Sequence, residues 1–336
     1  MWKKDDLMKL TELMESEYAN VTSASFEKLH KRDTKGLENI TLAFEEVMKY
    51  PYSLETSFTK FEWSVQNIIN TIPAIEGKKF DPEDITAFSI LLDAFEDRSA
   101  FNKAGIFLTD LVEAHSQNRR SDNKNNLFDH TNKLSENKDK NQEKNKTNEE
   151  EYTIITENYG KRIHHFQYLG YHLTSATIRV LGNCGNDCGA FLEGGSLIIQ
   201  GNVDSFCGRE MEKGSIHVLG NAGANIGTHM KNGSIHIDGN AFSSVGKRMK
   251  KGKITIQGNC GIRGGENMEG GIIHIYGDSE PYLGLEMTGG NIIVEGNAKE
   301  VYHIHNGRID VNGETCTLQK GRRSSRVYHR GKPMSE

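Results

Sequence analysis

The chain has 336 residues, of which 26% are charged and 35% apolar, with a formal net charge of −5. That length admits two domains of ordinary size, and so nearly balanced a charge argues against a nucleic-acid or other polyelectrolyte partner. No apolar run approaches the ~20 residues a bilayer span needs, the opening residues turn acidic without a signal core, and the five cysteines form neither a disulfide framework nor a zinc ribbon. The expected setting is cytoplasmic, without membrane contact and with reduced thiols.

Residues 1–115 carry a net charge of −8 and read as helices. Leu37, Ile40, Phe44 and Val47 recur at steps of three and four, as do Phe58, Phe61, Val65 and Ile68, and then Ile85, Phe88, Leu92 and Phe95. Asp81 followed by Pro82, Glu83 and Asp84 marks a helix start. Further helices are expected over about 5–18 and 100–115. Single apolar stripes with little glycine predict a helical bundle. Glu27 and His30 form one Glu-x-x-His pair, but a di-iron site needs a second pair, so they are read as a solvated helix face.

Residues 116–151 are dominated by Asn, Lys, Glu and Asp and have no net charge. Such a segment buries too little surface to offset ordering its backbone and is expected to be a disordered linker. Its Leu127–Phe128 pair is read as chance rather than as a docking motif.

Residues 152–336 carry a net charge of +3 and become periodic from about Ile178. Gly182, Gly201, Gly220, Gly239, Gly258, Gly277 and Gly296 form a strict i, i+19 series, each followed by Asn except Gly277, which precedes Asp278. Two further glycine columns follow, one beginning at Gly189 and one at Gly195, with a methionine column from Met211 to Met287. Before each anchor glycine an aliphatic pair brackets a variable residue, as in Leu197/Ile199, Ile216/Val218 and Ile235/Ile237. That is a short half-buried strand, and stacking equivalent strands makes a parallel ladder with a continuous core. The anchor glycines are expected to mark structural turns, often at positive φ, or points where the chain passes too close to the next coil for a Cβ, and the methionines to fill the interior. Together these readings give an α + β chain: a helical bundle (1–115), a linker (116–151), a right-handed parallel β-helix of 19-residue coils (152–319) and a basic tail (320–336).

The pattern Gly-Asn-(five residues)-Gly-x-x-Met-x-x-Gly-x-Ile-x-Ile resembles the GXGXG repeat domain, which occurs in one subunit of formylmethanofuran dehydrogenase and in the glutamate synthase large subunit. It covers about 178–313, and the methionine column and "GNAG" at 220–223 are more similar to the formylmethanofuran dehydrogenase repeat. The resemblance implies a right-handed β-helix that holds catalytic parts of an oxidoreductase together and binds no cofactor itself. The helical front and the charged linker depart from both families, and the chain begins Met-Trp where a glutamate synthase amidotransferase needs an N-terminal cysteine. The last coil is irregular, with His303 in place of a glycine and Gly313 arriving before a full repeat has passed since Gly296.

Few residues of the repeat promise chemistry. His217, His236 and His274 occupy the outward position between two inward aliphatics and are the candidate metal ligands, although a solvent-exposed ladder is the preferred reading. Cys188 and Cys207 share one core column and Cys184 and Cys260 another, so they are read as structural, with stacked neighbours the only expected disulfide partners. Lys247, Arg248, Lys250, Lys251 and Lys253 concentrate on one coil and lack aromatic interleaving, which favours docking of a protein partner over nucleic acid. Glu193 and Glu212 stack as carboxylates, but Lys231 and Lys250 continue their column, which suggests a salt-linked surface rather than a catalytic pair. The leading expectation is therefore a non-catalytic scaffold without cofactors, its β-helix face organising partner subunits while the bundle recruits a partner of its own. The alternative is a stand-alone β-helix enzyme, or a ligand- or metal-binding protein, using an outer-face groove.

Overall fold

The computed structural model describes residues 35–48, 80–92, 103–117, 151–156, 166–302, 304–319 and 324–334. The helices expected over 5–18 and around Phe58–Ile68, the Glu27/His30 pair, Leu127–Phe128, most of the linker and His303 lie outside these residues.

Three helices are described: α1 (Lys35–Met48), α2 (Pro82–Leu91) and α3 (103–117). Helix α2 starts where the sequence places it. The Asp84 N–H donates to Asp81 Oδ1 at 3.0 Å and the Asp81 N–H donates to Asp84 Oδ2 at 2.9 Å, a reciprocal cap that satisfies two otherwise orphaned donors. The periodic residues Ile40, Phe44, Val47, Ile85, Phe88 and Leu92 are all buried, with Phe107 of α3 among them. The rings of Phe44, Phe88 and Phe107 meet at centroid distances of 5.2–5.6 Å.

The strands follow in chain order: β1 (Glu151–Ile155), β2 (Thr177–Leu181), β3 (Ser196–Ile199), β4 (Ser215–Val218), β5 (Ala222–Ala224), β6 (Ser234–Ile237), β7 (Ala241–Ser243), β8 (Lys253–Ile256), β9 (Cys260–Ile262), β10 (Ile272–Ile275), β11 (Asn291–Val294), β12 (Ala298–Val301), β13 (Arg308–Val311), β14 (Cys316–Leu318), β15 (Ser324–His329) and β16 (Lys332–Met334). They wind into a right-handed parallel β-solenoid of about eight turns. One 11-stranded sheet, ordered β1-β2-β3-β4-β6-β8-β10-β11-β13-β15-β16, forms its main wall. Short sheets β5-β7-β9 and β12-β14 form a second wall. Each middle coil pairs with the next in the same i to i+19 register, as in Ile216↔Ile235 and Ile235↔Ile254. Every aliphatic pair from Leu197/Ile199 to Ile292/Val294 points inward with at most 1% of its surface exposed, and Met211, Met230, Met249, Met268 and Met287 are fully buried.

Of the two reasons expected for a glycine at the anchor positions, the close approach of the neighbouring coil accounts for six of the seven. Only Gly182 among the seven has a left-handed φ. At Gly220 a Cβ would stand 2.5 Å from the Gly201 carbonyl oxygen and 2.6 Å from Asn202 Oδ1, so the neighbouring coil leaves no room for one. The turn glycines are the other two columns, such as Gly227 at φ +64°. The asparagine after each anchor also has a role. Asn221 N–H donates to Asn202 Oδ1 at 2.7 Å, Asn240 N–H to Asn221 Oδ1 at 2.8 Å, and the ladder continues through Asn259, Asp278 and Asn297. The position needs an acceptor oxygen, which Asp278 supplies as well as Asn.

Both ends of the stack are closed. Along the outer edge of β1, Thr86 Oγ1 of α2 donates to the Thr153 carbonyl at 2.7 Å, and the Ile155 N–H donates to Ser89 Oγ at 3.0 Å. Helix α3 covers the turn before β2. Thr109 Oγ1 accepts from the Gly170 N–H at 2.8 Å, and the buried Glu113 carboxylate accepts from the Thr174 N–H, the Thr174 hydroxyl and the Ser175 N–H at 2.7–3.2 Å. The described helices are thus a lid on the first coil. At the far end, β15 extends the parallel wall beyond residue 319, and β16 folds back antiparallel. Part of the expected basic tail therefore belongs to the solenoid, where Arg308 lies 3.9 Å over the Tyr328 ring. Among the described residues no helix is long and apolar enough to cross a membrane.

Candidate functional site

Two features stand on the outside of the solenoid. The first is a histidine–carboxylate cluster on the main sheet. Side chains two residues apart on a strand share a face, and positions i and i+19 are neighbours across the ladder. Position i+21 is therefore one coil up and on the same face. His217 uses this diagonal to reach Asp238, with Nε2 at 3.1 Å from both carboxylate oxygens, and His236 Nε2 lies 2.9 Å from Asp238 Oδ1. The two imidazoles, partners in the β4–β6 register, have centroids 4.9 Å apart. The three side chains are 37–42% exposed.

His274 is not part of this group. Thr255 stands between His236 and His274 in the ladder. The same diagonal takes His274 Nε2 to Glu295 Oε1 at 2.7 Å, and its ring stacks on Tyr276 at 4.3 Å. Hydrogen bonds from Asn312 and then His274 hold the Glu295 carboxyl below the usual carboxylate range. The expected trio of metal candidates therefore divides, and Asp238 replaces His274 as the third member. Sequence reasoning missed Asp238, although its i+21 relation to His217 was there to be read.

The second feature is an open groove of about 610 Å³ beside the asparagine ladder. Its floor is the small-residue column Val203, Ala222, Ala241 and Cys260, and Phe242 and Ile262 stand on its far side. Phe242 is 73% exposed and Ile262 44%, so large apolar side chains face solvent on two consecutive coils.

The remaining candidates fall into place around these two. Glu212 is bound by Lys231 Nζ at 2.9 Å, and Glu193 by His172 Nδ1 at 2.6 Å. The Lys231 hydrogen bond lowers the Glu212 pKa, keeping it an ionised partner rather than a proton donor. Lys247 pairs with Glu266 of the next coil at 3.0 Å, while Arg248, Lys250, Lys251 and Lys253 are exposed. Cys207 and Cys260 are fully buried, and burial pushes both thiols up to about 12, which makes them inert at neutral pH. Cys184 and Cys188 are joined in a disulfide within one coil. This differs from the expectation of reduced thiols and of stacked partners: the bonded pair lies four residues apart within one coil. The chain matches no family model and no curated protein.

Proposed function

We propose that this chain is a non-catalytic scaffold whose β-solenoid organises partner protein subunits, with the groove beside the asparagine ladder as the docking face. The exposed Phe242 beside a floor of small apolar residues carries this reading, because contiguous apolar surface rimmed by polar groups marks sites of protein association. Regular backbone register supports it further, since a stack of coils in constant register presents a rigid surface that loses little entropy on binding. The helical lid serves the same end by closing the first coil. The resemblance of the repeat to the GXGXG domains makes an oxidoreductase complex of the formylmethanofuran dehydrogenase or glutamate synthase kind the first candidate assembly.

The test is affinity purification of the full chain from its native cells at low salt, beside the Phe242→Asp variant. The reading expects a stoichiometric protein partner with the wild type and its loss with the variant, whose thermal stability should be unchanged. A wild-type chain that elutes alone, or a partner that binds both forms equally, would refute it.

A further inference from the structure

A histidine-to-carboxylate contact from i to i+21 recurs three times on the described coils, joining His172 to Glu193, His217 to Asp238 and His274 to Glu295. Two of these are one-to-one contacts. Glu295 spends one oxygen on His274 and the other on Asn312 Nδ2 at 2.8 Å. At Asp238 a second imidazole enters, and both Nε2 atoms converge on one carboxylate. Among the described residues this is the one group of three such side chains whose donor atoms all lie within 4.8 Å of one another.

We propose that His217, His236 and Asp238 bind a divalent transition-metal ion of the zinc class, joining the coil of β4 to that of β6. The hydrogen bonds now in place are compromises. His217 Nε2 stands 3.1 Å from each carboxylate oxygen, so a single proton is shared between two acceptors at the long end of the normal range. An ion bound at about 2.0–2.2 Å from each donor would set them roughly 3.4 Å apart. The two nitrogen–oxygen separations need to open by only a few tenths of an ångström, and the two nitrogens, which lie within 4.8 Å of each other, adjust by rotation of exposed side chains without moving the strands. On metal binding each neutral imidazole offers its Nε2 lone pair, so the Nε2 proton now facing Asp238 moves to Nδ1 through solvent, with no net proton release.

The donor set also selects the ion. Two imidazole nitrogens and one carboxylate suit zinc and its cobalt, nickel and copper neighbours, whereas calcium and magnesium require oxygen shells. The strands beneath fix the geometry, because His217 and His236 are register partners and Asp238 directly follows β6. Three protein ligands leave a fourth position for water or for a side chain of a partner. The site does not depend on the scaffold reading, and the two can fail separately.

The experiment is calorimetric titration of the metal-free, tag-free full chain with zinc chloride, with cobalt(II) absorption as a second readout. One ion per chain is expected, with a zinc-dependent rise in Tm. His217→Gln and His236→Gln should each weaken zinc binding by about 100-fold or more, since losing even an outer-shell support costs roughly 10–100-fold. His274→Gln should bind as the wild type does. The His217 and His236 variants replace half-exposed side chains, and the His274 variant a largely buried one, with a side chain of similar reach; an Asp238→Asn variant gives an independent reading should either imidazole variant fold poorly. No binding, binding undiminished in the ligand variants, or a cobalt spectrum dominated by sulfur charge transfer would each overturn the proposal.

Discussion

The middle coils and the helical lid meet the same physical demand in opposite ways. A parallel wall exposes a row of N–H and C=O groups at each end, and a free edge invites pairing with another chain. In the middle, each coil supplies the next, and the cost of a misplaced atom repeats along the stack. At the first coil, among the described residues, no further strand lies beyond β1, and hydroxyls from α2 satisfy its edge instead. Stability by repetition tolerates variation in any one coil. Stability by a lid depends on a few contacts that occur once, so damage at the lid should spread into strands that no mutation touches.

The largest effect is expected from Phe88→Ala. Phe88 is fully buried between Phe44 and Phe107, and truncating such a side chain costs about 3–5 kcal/mol. Hydrogen exchange should then quicken in β1 and β2 while β8 to β11 keep their protection. Unchanged exchange in β1 would mean that the lid folds as a separate unit, and the comparison would fail.

Gly220→Ala tests the coil side. The added methyl would meet the Gly201 carbonyl and Asn202 Oδ1, and overpacking of this kind costs about 1–3 kcal/mol. Chemical denaturation should show the loss, and exchange should place it in the coils around β3 and β4. The lid should be unaffected.

This contrast also explains what the sequence could reveal. The aliphatic pairs, the methionine column and the strand positions were legible because each residue type recurs once per coil, and a repeated pattern announces its own geometry. Which of two roles the anchor glycines play was not, because crowding by a neighbouring backbone and a left-handed φ both select glycine. Nor was the lid, since Thr86 and Ser89 meet β1 from far away in the chain, through contacts that have no second copy. The histidine cluster lies between these cases. Its two imidazoles follow from the ladder, but Asp238 joins them only through a diagonal that the column-by-column reading did not trace. The same reading set Cys184 and Cys188 in separate columns and overlooked that one coil brings them together.

A smaller effect separates the two ways of finishing an edge. Ser89→Ala leaves the Ile155 N–H without its acceptor, and an unmet group of this kind costs about 1–3 kcal/mol. Asn240→Ala removes one rung of the asparagine ladder, where the Asn259 N–H would lose its partner. That amide lies at an exposed position, so water can replace the oxygen and the expected loss is under about 1 kcal/mol. Equal losses in paired melting experiments would show that the lid has no special weight.

The smallest effect concerns the lid-side edge of the wall and depends on pH. Arg179 of β2 donates to Glu151 of β1, through Nε and through Nη2, the latter at 3.2 Å. That hydrogen bonding holds the Glu151 carboxyl below its ordinary value. A carboxylate with a depressed folded pKa contributes stability above its unfolded pKa, about 4.3, and loses that contribution as pH falls through the folded value. Both side chains are substantially exposed, so the pair is worth only about 0.2–1 kcal/mol. Asp187 acts in the opposite sense, because burial outweighs its Arg209 partner and raises its pKa, so its charged form weakens the fold above that value and the penalty is relieved in acid. Arg179→Met should therefore lower the Tm slightly at pH 7, and the deficit should shrink as acid protonates Glu151. A variant whose deficit persisted undiminished at pH 3 would assign the role of Arg179 to packing on β1 rather than to its charge.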